Sequence, residues 1–105
     1  MNNIPAPPPP LPRDQETAHT RLMAEIEQHE EEGLRIPCRG RDSARWISLK
    51  APEQRNAADA CIDCPALRTC RSYAIAHNEP TGVWGGMNTT AREQHRKTHT
   101  LRSAA

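Results

Sequence analysis

The stretch CIDCPALRTCRSYAIAHNEPTGVWGG, residues 61–86, puts three of the chain's four cysteines within ten positions and follows them with a glycine-flanked tryptophan. Cys61 and Cys64 form a C-x-x-C pair, Cys70 follows Cys64 with five residues between them, and Cys38 stands apart, with twenty-two residues between it and Cys61. A C-x-x-C pair brings two thiolates onto one metal or cluster. Cys70 lies about a turn and a half of helix further on, so its side chain can face the same centre, and Cys38 closes the site from a distant loop. Pro65 suits the first turn of a helix that runs from Ala66 to about His77. On that helix Leu67, Cys70, Ala74 and His77 share a face. With no strand signal or internal repeat elsewhere, the fold class expected is all-α, a small bundle of short helices around a cysteine centre.

The rest of the chain explains why such a centre is needed. Among 105 residues there is no phenylalanine, one tyrosine and two tryptophans, so the side chains that bury most area are nearly absent. Chains this small and this poor in large apolar residues usually rely on a disulfide, a structural metal or a partner. The N-terminus, MNNIPAPPPPLPRD, lacks the basic and apolar regions of a secretory signal, and no apolar run reaches membrane-spanning length. The location expected is a reducing cytoplasm, without a membrane partner, where clustered cysteines bind metal or carry redox chemistry more often than they form permanent disulfides. The net charge of +1 hides an asymmetry: residues 1–35 carry three basic and seven acidic side chains, residues 36–105 eleven and six. The second part is mildly cationic, which is compatible with a nucleic-acid neighbour.

Four segments follow. Residues 1–13 form a proline-rich arm, expected to be disordered and extended, because each proline ring fixes φ and removes a donor. The PxxP spacing within it arises in any proline run. Residues 14–35 form an acidic amphipathic helix with Ala18, Leu22, Met23 and Ile26 on one face and Gly33 as C-terminal cap. Glu30, Glu31 and Glu32 sit at the unfavourable end of its dipole, which predicts a frayed last turn. Residues 36–97 form the cysteine domain. It contains a loop after Cys38 with one short turn around Trp46, a helix from Pro52 to about Ala60, the Pro65 helix, and a last helix to about Lys97. The pattern Thr90-Ala-Arg-Glu93 reads as that last helix's capping box. Residues 98–105 are a short basic tail.

Three chemistries compete for the cysteines. Four thiolates suit tetrahedral zinc in a structural or adaptor module, although structural zinc sites usually use two close-spaced pairs and this chain has one. A thioredoxin-like oxidoreductase would use the C-x-x-C pair, but the expected βαβ context is missing and two further cysteines stay unexplained. An iron–sulfur cluster accepts thiolates from separated segments. Local charge agrees with it: a helix N-terminus at Cys64, together with Arg68 and Arg71, is expected to favour thiolate. No catalytic constellation is present, so an enzyme is not expected. His95 and His99 lie in a polar terminal segment without a carboxylate or cysteine to complete a site.

Cys38, the CIDCPALRTC run and then GVWGGM, in this order and separation, resemble the WhiB-like family of actinobacteria and their phages over roughly residues 37–97. The resemblance implies a [4Fe–4S] cluster bound by Cys38, Cys61, Cys64 and Cys70, responsive to oxygen or nitric oxide, in a cytoplasmic transcription regulator. It also implies that Gly82, Val83, Trp84, Gly85 and Gly86, with an aromatic near the first cysteine, meet region four of the principal sigma factor of RNA polymerase. Family members commonly carry paired aromatics followed by proline after that cysteine. Here Arg45-Trp46-Ile47-Ser48 stands in that place, and Trp46 is the substitute. From the residues alone, Trp84 serves equally well as a cover packed on the cluster or as an anchor for a partner. Arg92, Arg96, Lys97 and Arg102 are the candidate DNA contacts. They are few enough that promoter DNA is expected to be bound weakly, and mainly when the protein is docked on polymerase.

Overall fold

In the computed structural model of the chain the backbone is described for residues 13–104 and side-chain surroundings for residues 13–98, so the expected proline arm lies outside the described residues apart from Arg13. Four helices carry the fold: α1 (Gln15–Glu31), α2 (Ala51–Cys61), α3 (Leu67–Ala76) and α4 (Thr89–Ala104). Two short 3₁₀ segments, Pro37–Arg39 and Ser43–Ile47, lie between α1 and α2. Among the described residues there is no strand, only an isolated antiparallel bridge between Trp84 and Met87. The all-α class read from the sequence holds.

α1 starts where Asp14 caps it: Asp14 Oδ2 accepts from the Thr17 backbone N–H and from Thr17 Oγ1, both at 2.8 Å. Its apolar stripe, Ala18, Leu22 and Ile26, repeats every four residues and is buried. At the other end Gly33 adopts a left-handed φ of +84°. Its N–H reaches Glu30 O at 3.0 Å, and the Leu34 N–H reaches His29 O at 2.9 Å. Those reversed bonds satisfy the carbonyls that a helix end leaves open. The expected fraying is corrected: α1 keeps its last turn despite the glutamate run.

α1 packs on α3, and two polar contacts fix the pairing, Thr69 Oγ1 to Glu25 Oε1 at 2.9 Å and Gln15 Nε2 to the Tyr73 hydroxyl at 3.4 Å. The buried stripe of α1 joins Ile36, Ala66, Tyr73 and Ala74 in one apolar cluster. A second cluster gathers Trp46, Ala57, Cys61 and Val83. Cys38 packs against both. The core is therefore two small halves meeting at a cysteine.

α4 departs from expectation at both ends. Its cap is Asn88, whose Oδ1 accepts from the Ala91 N–H at 2.8 Å, so the helix begins at Thr89 and Thr90 lies inside it. It then continues to Ala104 instead of ending near Lys97, drawing the expected tail into the helix.

Candidate metal-cluster centre

All four cysteines line one cavity of about 190 Å³ whose walls are otherwise almost wholly apolar. α2 delivers Cys61 at its last residue, the turn before α3 holds Cys64, the second turn of α3 holds Cys70, and the first 3₁₀ segment holds Cys38. None of them is disulfide-bonded. Among the described residues no group of three Cys, His, Asp or Glu side chains is arranged to hold a single metal ion. Four thiols lining one apolar cavity are a donor set suited to a metal or a metal cluster.

Trp46 Nε1 donates to Cys61 Sγ at 3.3 Å. The backbone N–H groups of Cys38, Ala66 and Gly85 also ease the Cys38, Cys64 and Cys70 sulfurs toward thiolate. Such donors favour thiolate over thiol. Burial works against them and is stronger. It raises Cys38 and Cys64 above the ordinary thiol value and pushes Cys70 up to about 12. Without a bound group these three are neutral thiols near pH 7, and loading displaces their protons. The expected acidifying influence of Arg68 and Arg71 is corrected here. Arg68 is exposed, and Arg71 turns its Nε to the Gly85 carbonyl at 2.8 Å.

The tryptophans divide differently from expectation. Trp46 is 8% exposed and bonded to Cys61, so it is a wall of the chamber and not a surface contact. Its neighbour Ile47 is 76% exposed while also lining the cavity, and Leu49 is 93% exposed. Trp84 is half-buried and lines the cavity, and its ring lies 5.4 Å from that of Tyr73 between centroids. Its Nε1 donates to Thr81 O at 3.0 Å.

The turn that presents Trp84 is a two-residue hairpin: Trp84 N–H to Met87 O at 3.0 Å, Met87 N–H to Trp84 O at 3.1 Å, with Gly85 and Gly86 at φ +58° and +76°. Positive φ at both central positions defines the primed turn that glycine supports. At Gly85 there is a second requirement, because a Cβ there would run into the Arg71 backbone. Val83 and Gly85 are buried and Gly82 is half-buried, so within this motif Trp84 supplies the accessible aromatic.

The candidate DNA contacts are corrected in part. Arg92 is 1% exposed, and its guanidinium donates to the carbonyls of Gly82 at 2.9 Å, Met87 at 2.7 Å and Glu79 at 2.9 Å. Arg96 is half-buried, with Nε and Nη2 donating to Ile75 O at 3.2 and 3.1 Å and Nη2 to Ala74 O at 3.2 Å. Both groups are occupied by backbone oxygens and do not present themselves to a phosphate. Lys97 is exposed, and the Arg102 side chain lies outside the described residues. The sequence signal that Arg92 and Arg96 share a helix face was correct, but that face is turned inward.

Short helices and turns that bring four unpaired cysteines to one apolar chamber, with a glycine-clamped tryptophan in its wall, define a small all-helical protein with a four-thiol site. The comparisons name its family: the model for the transcription factor WhiB matches residues 34–95, and the chain belongs to that family. It is 36% identical over 78 residues to the redox-responsive transcriptional regulator WhiB3 of Mycolicibacterium smegmatis, covering 68% of this chain and 81% of that one. It is 33% identical over 63 residues to the redox- and pH-responsive transcriptional regulator WhiB3 of Mycobacterium tuberculosis, covering 53% of this chain and 62% of that one. To the transcriptional regulator WhiD of Streptomyces coelicolor it is 33% identical over 68 residues, 58% of this chain and 61% of that one. No solved structure matches it significantly. Among the described residues no helix is long and apolar enough to cross a membrane.

Proposed function

We propose that this chain is a cytoplasmic, redox- or nitric-oxide-responsive transcription regulator. In this reading it holds a [4Fe–4S] cluster on Cys38, Cys61, Cys64 and Cys70 and acts by docking on region four of the principal sigma factor. The observation that carries the reading is the set of four unpaired cysteines spread around one apolar chamber in a chain of the WhiB family. When bound, such a cluster supplies a one-electron redox centre whose potential responds to hydrogen bonds on its sulfurs. The chain's own part is to present the sulfurs, donate to that of Cys61 from Trp46 Nε1, and keep water out with Ile26, Ile36, Leu67 and Val83.

The docking face follows from what remains accessible at the mouth of the chamber. Trp84 is half-buried on a clamped turn, and Ile47 is largely exposed beside the same cavity. An aromatic held by a stiff backbone with apolar neighbours is the usual form of an interface anchor. A partner seated there would also cover the chamber. Promoter contact is a minor term left to Lys97 and Arg102, effective when docking on the sigma factor holds the protein beside the DNA. Purification without oxygen tests the first half, with iron and sulfide expected in equal amounts at four per chain. Stoichiometric zinc without sulfide would overturn it. Co-purification with a sigma region-four domain tests the second.

A further inference from the structure

The buried guanidinium of Arg92 is the feature that the cluster does not account for. A buried arginine needs partners for its donors; here both terminal nitrogens find theirs in one particular place, while Nε is left buried without one. Nη1 alone bridges the two flanks of the Trp84 hairpin, taking Gly82 O before it and Met87 O after it, while Nη2 takes Glu79 O at the entry to the segment. From the opposite side Arg71 holds Gly85 O. The hairpin bonds fix only the four residues of the turn itself. The orientation of that turn on the body depends on these two arginines and on the Val83 N–H to Trp46 O bond of 2.8 Å. Arg96, one turn further along α4, docks the helix on the carbonyl end of α3 and so fixes the base from which Arg92 reaches.

We propose that Arg92 is a positioning residue for partner recognition: its forked guanidinium sets the attitude of the Trp84 turn, and it acts through that turn without touching the partner. This rests on the reading that Trp84 faces the sigma factor. Geometry makes the claim specific to arginine. Lysine carries the same charge but one nitrogen on a flexible stem, which can take the place of Nη1 or of Nη2 but lacks the rigid fork that holds the turn and Glu79 O together.

Arg92→Lys in the full, cluster-loaded chain separates the possibilities, with cluster absorbance, affinity for the sigma region-four domain, and amide hydrogen exchange measured side by side. Expected are retained absorbance and at least about tenfold faster exchange at the Val83, Trp84 and Met87 amides, with unchanged protection of α1. Affinity should be about tenfold weaker or worse, as for loss of an interface anchor. Wild-type exchange at those amides overturns the proposal, and so does faster exchange with unchanged affinity. If the unaltered protein fails to bind the sigma domain, the functional reading falls, and the exchange data alone still decide whether Arg92 sets the turn. Should Arg92→Lys not load a cluster, Arg92→Gln is measured in the same way. If neither loads one, Arg92 is a folding residue and the proposal fails.

Discussion

The indole nitrogen of Trp46 lies 3.3 Å from the sulfur of Cys61. One side chain thereby fills the smaller half of the core and holds a donor against a candidate cluster ligand. The two roles separate by substitution. Trp46→Phe keeps most of the ring and loses the N–H···S bond, so the cluster is expected to load with a lower reduction potential, measured by potentiometric titration. Trp46→Ala also empties the half-core, a loss of roughly 3–5 kcal/mol for a buried aromatic. It is expected to yield protein without a cluster. A Phe variant with an unchanged potential would remove the hydrogen bond from the account.

Stripping the cluster should unfold much of the chain, because two half-cores of this size do not offset the entropy of ordering. Circular dichroism of chelator-treated protein is expected to show a large loss of helix. Replacing any one of Cys38, Cys61, Cys64 or Cys70 by alanine is expected to mimic it. Full helicity in metal-free protein would mean that the apolar core suffices.

Gly85→Ala places a methyl where the Arg71 backbone already is, on a residue at φ +58°. Left-handed strain alone costs on the order of 1–3 kcal/mol, and the collision adds to it. The variant is expected to disrupt the Trp84 turn and the backbone beside Cys70 together, seen as reduced cluster occupancy and a lower midpoint of thermal unfolding. Gly33→Ala meets no neighbour within 4 Å, so it should show the strain of its positive φ alone and keep its cluster.

Acid should loosen α1 before it reaches the rest of the domain. The Thr17 backbone and hydroxyl donors hold the Asp14 carboxylate below its ordinary value of 3.8. A depressed carboxylate contributes stability that is present above the unfolded-state value and lost as pH falls through the folded one. Protection of α1 amides is therefore expected to drop below about pH 4 in the wild type. In Asp14→Asn, which still caps but does not titrate, that step should be absent.

DNA binding by the isolated protein should be weaker than four basic residues suggest. With Arg92 and Arg96 bonded inward, Lys97 and Arg102 remain, and two phosphate contacts give a salt slope of about −2. Labelled promoter DNA titrated at several salt concentrations measures it. A slope near −4, or nanomolar sequence-dependent affinity without polymerase, would mean that the arginines leave their carbonyls.

Much of this architecture was legible because it rests on local rules. Pro52 and Pro65 mark helix starts to within a residue or two, Gly33 marks a helix end, and the cysteines whose spacing suggests a shared centre all line one cavity. The misses share a cause. Residue type suggests a phosphate contact for Arg92 and the family resemblance a partner contact for Trp46, yet their surroundings follow from which carbonyls and which sulfur the fold brings near. Spacing carries no information about that. The cap of α4 was missed for a related reason: Asn88 and Thr90 are both good caps, and the choice depends on where the hairpin releases the chain.

Among the described residues, Cys38 is the one that packs against both halves of the core. With the other three ligands divided between α2 and the α3 region, whatever the four sulfurs grip also joins the halves. If the proposed cluster is that object and its loss unfolds the chain, sensor and scaffold are one, and the signal that destroys the first dismantles the second. A regulator built this way would have no stable folded "off" form to return from. It would behave as a fuse, its message set by how fast intact molecules are made against how fast they are spent.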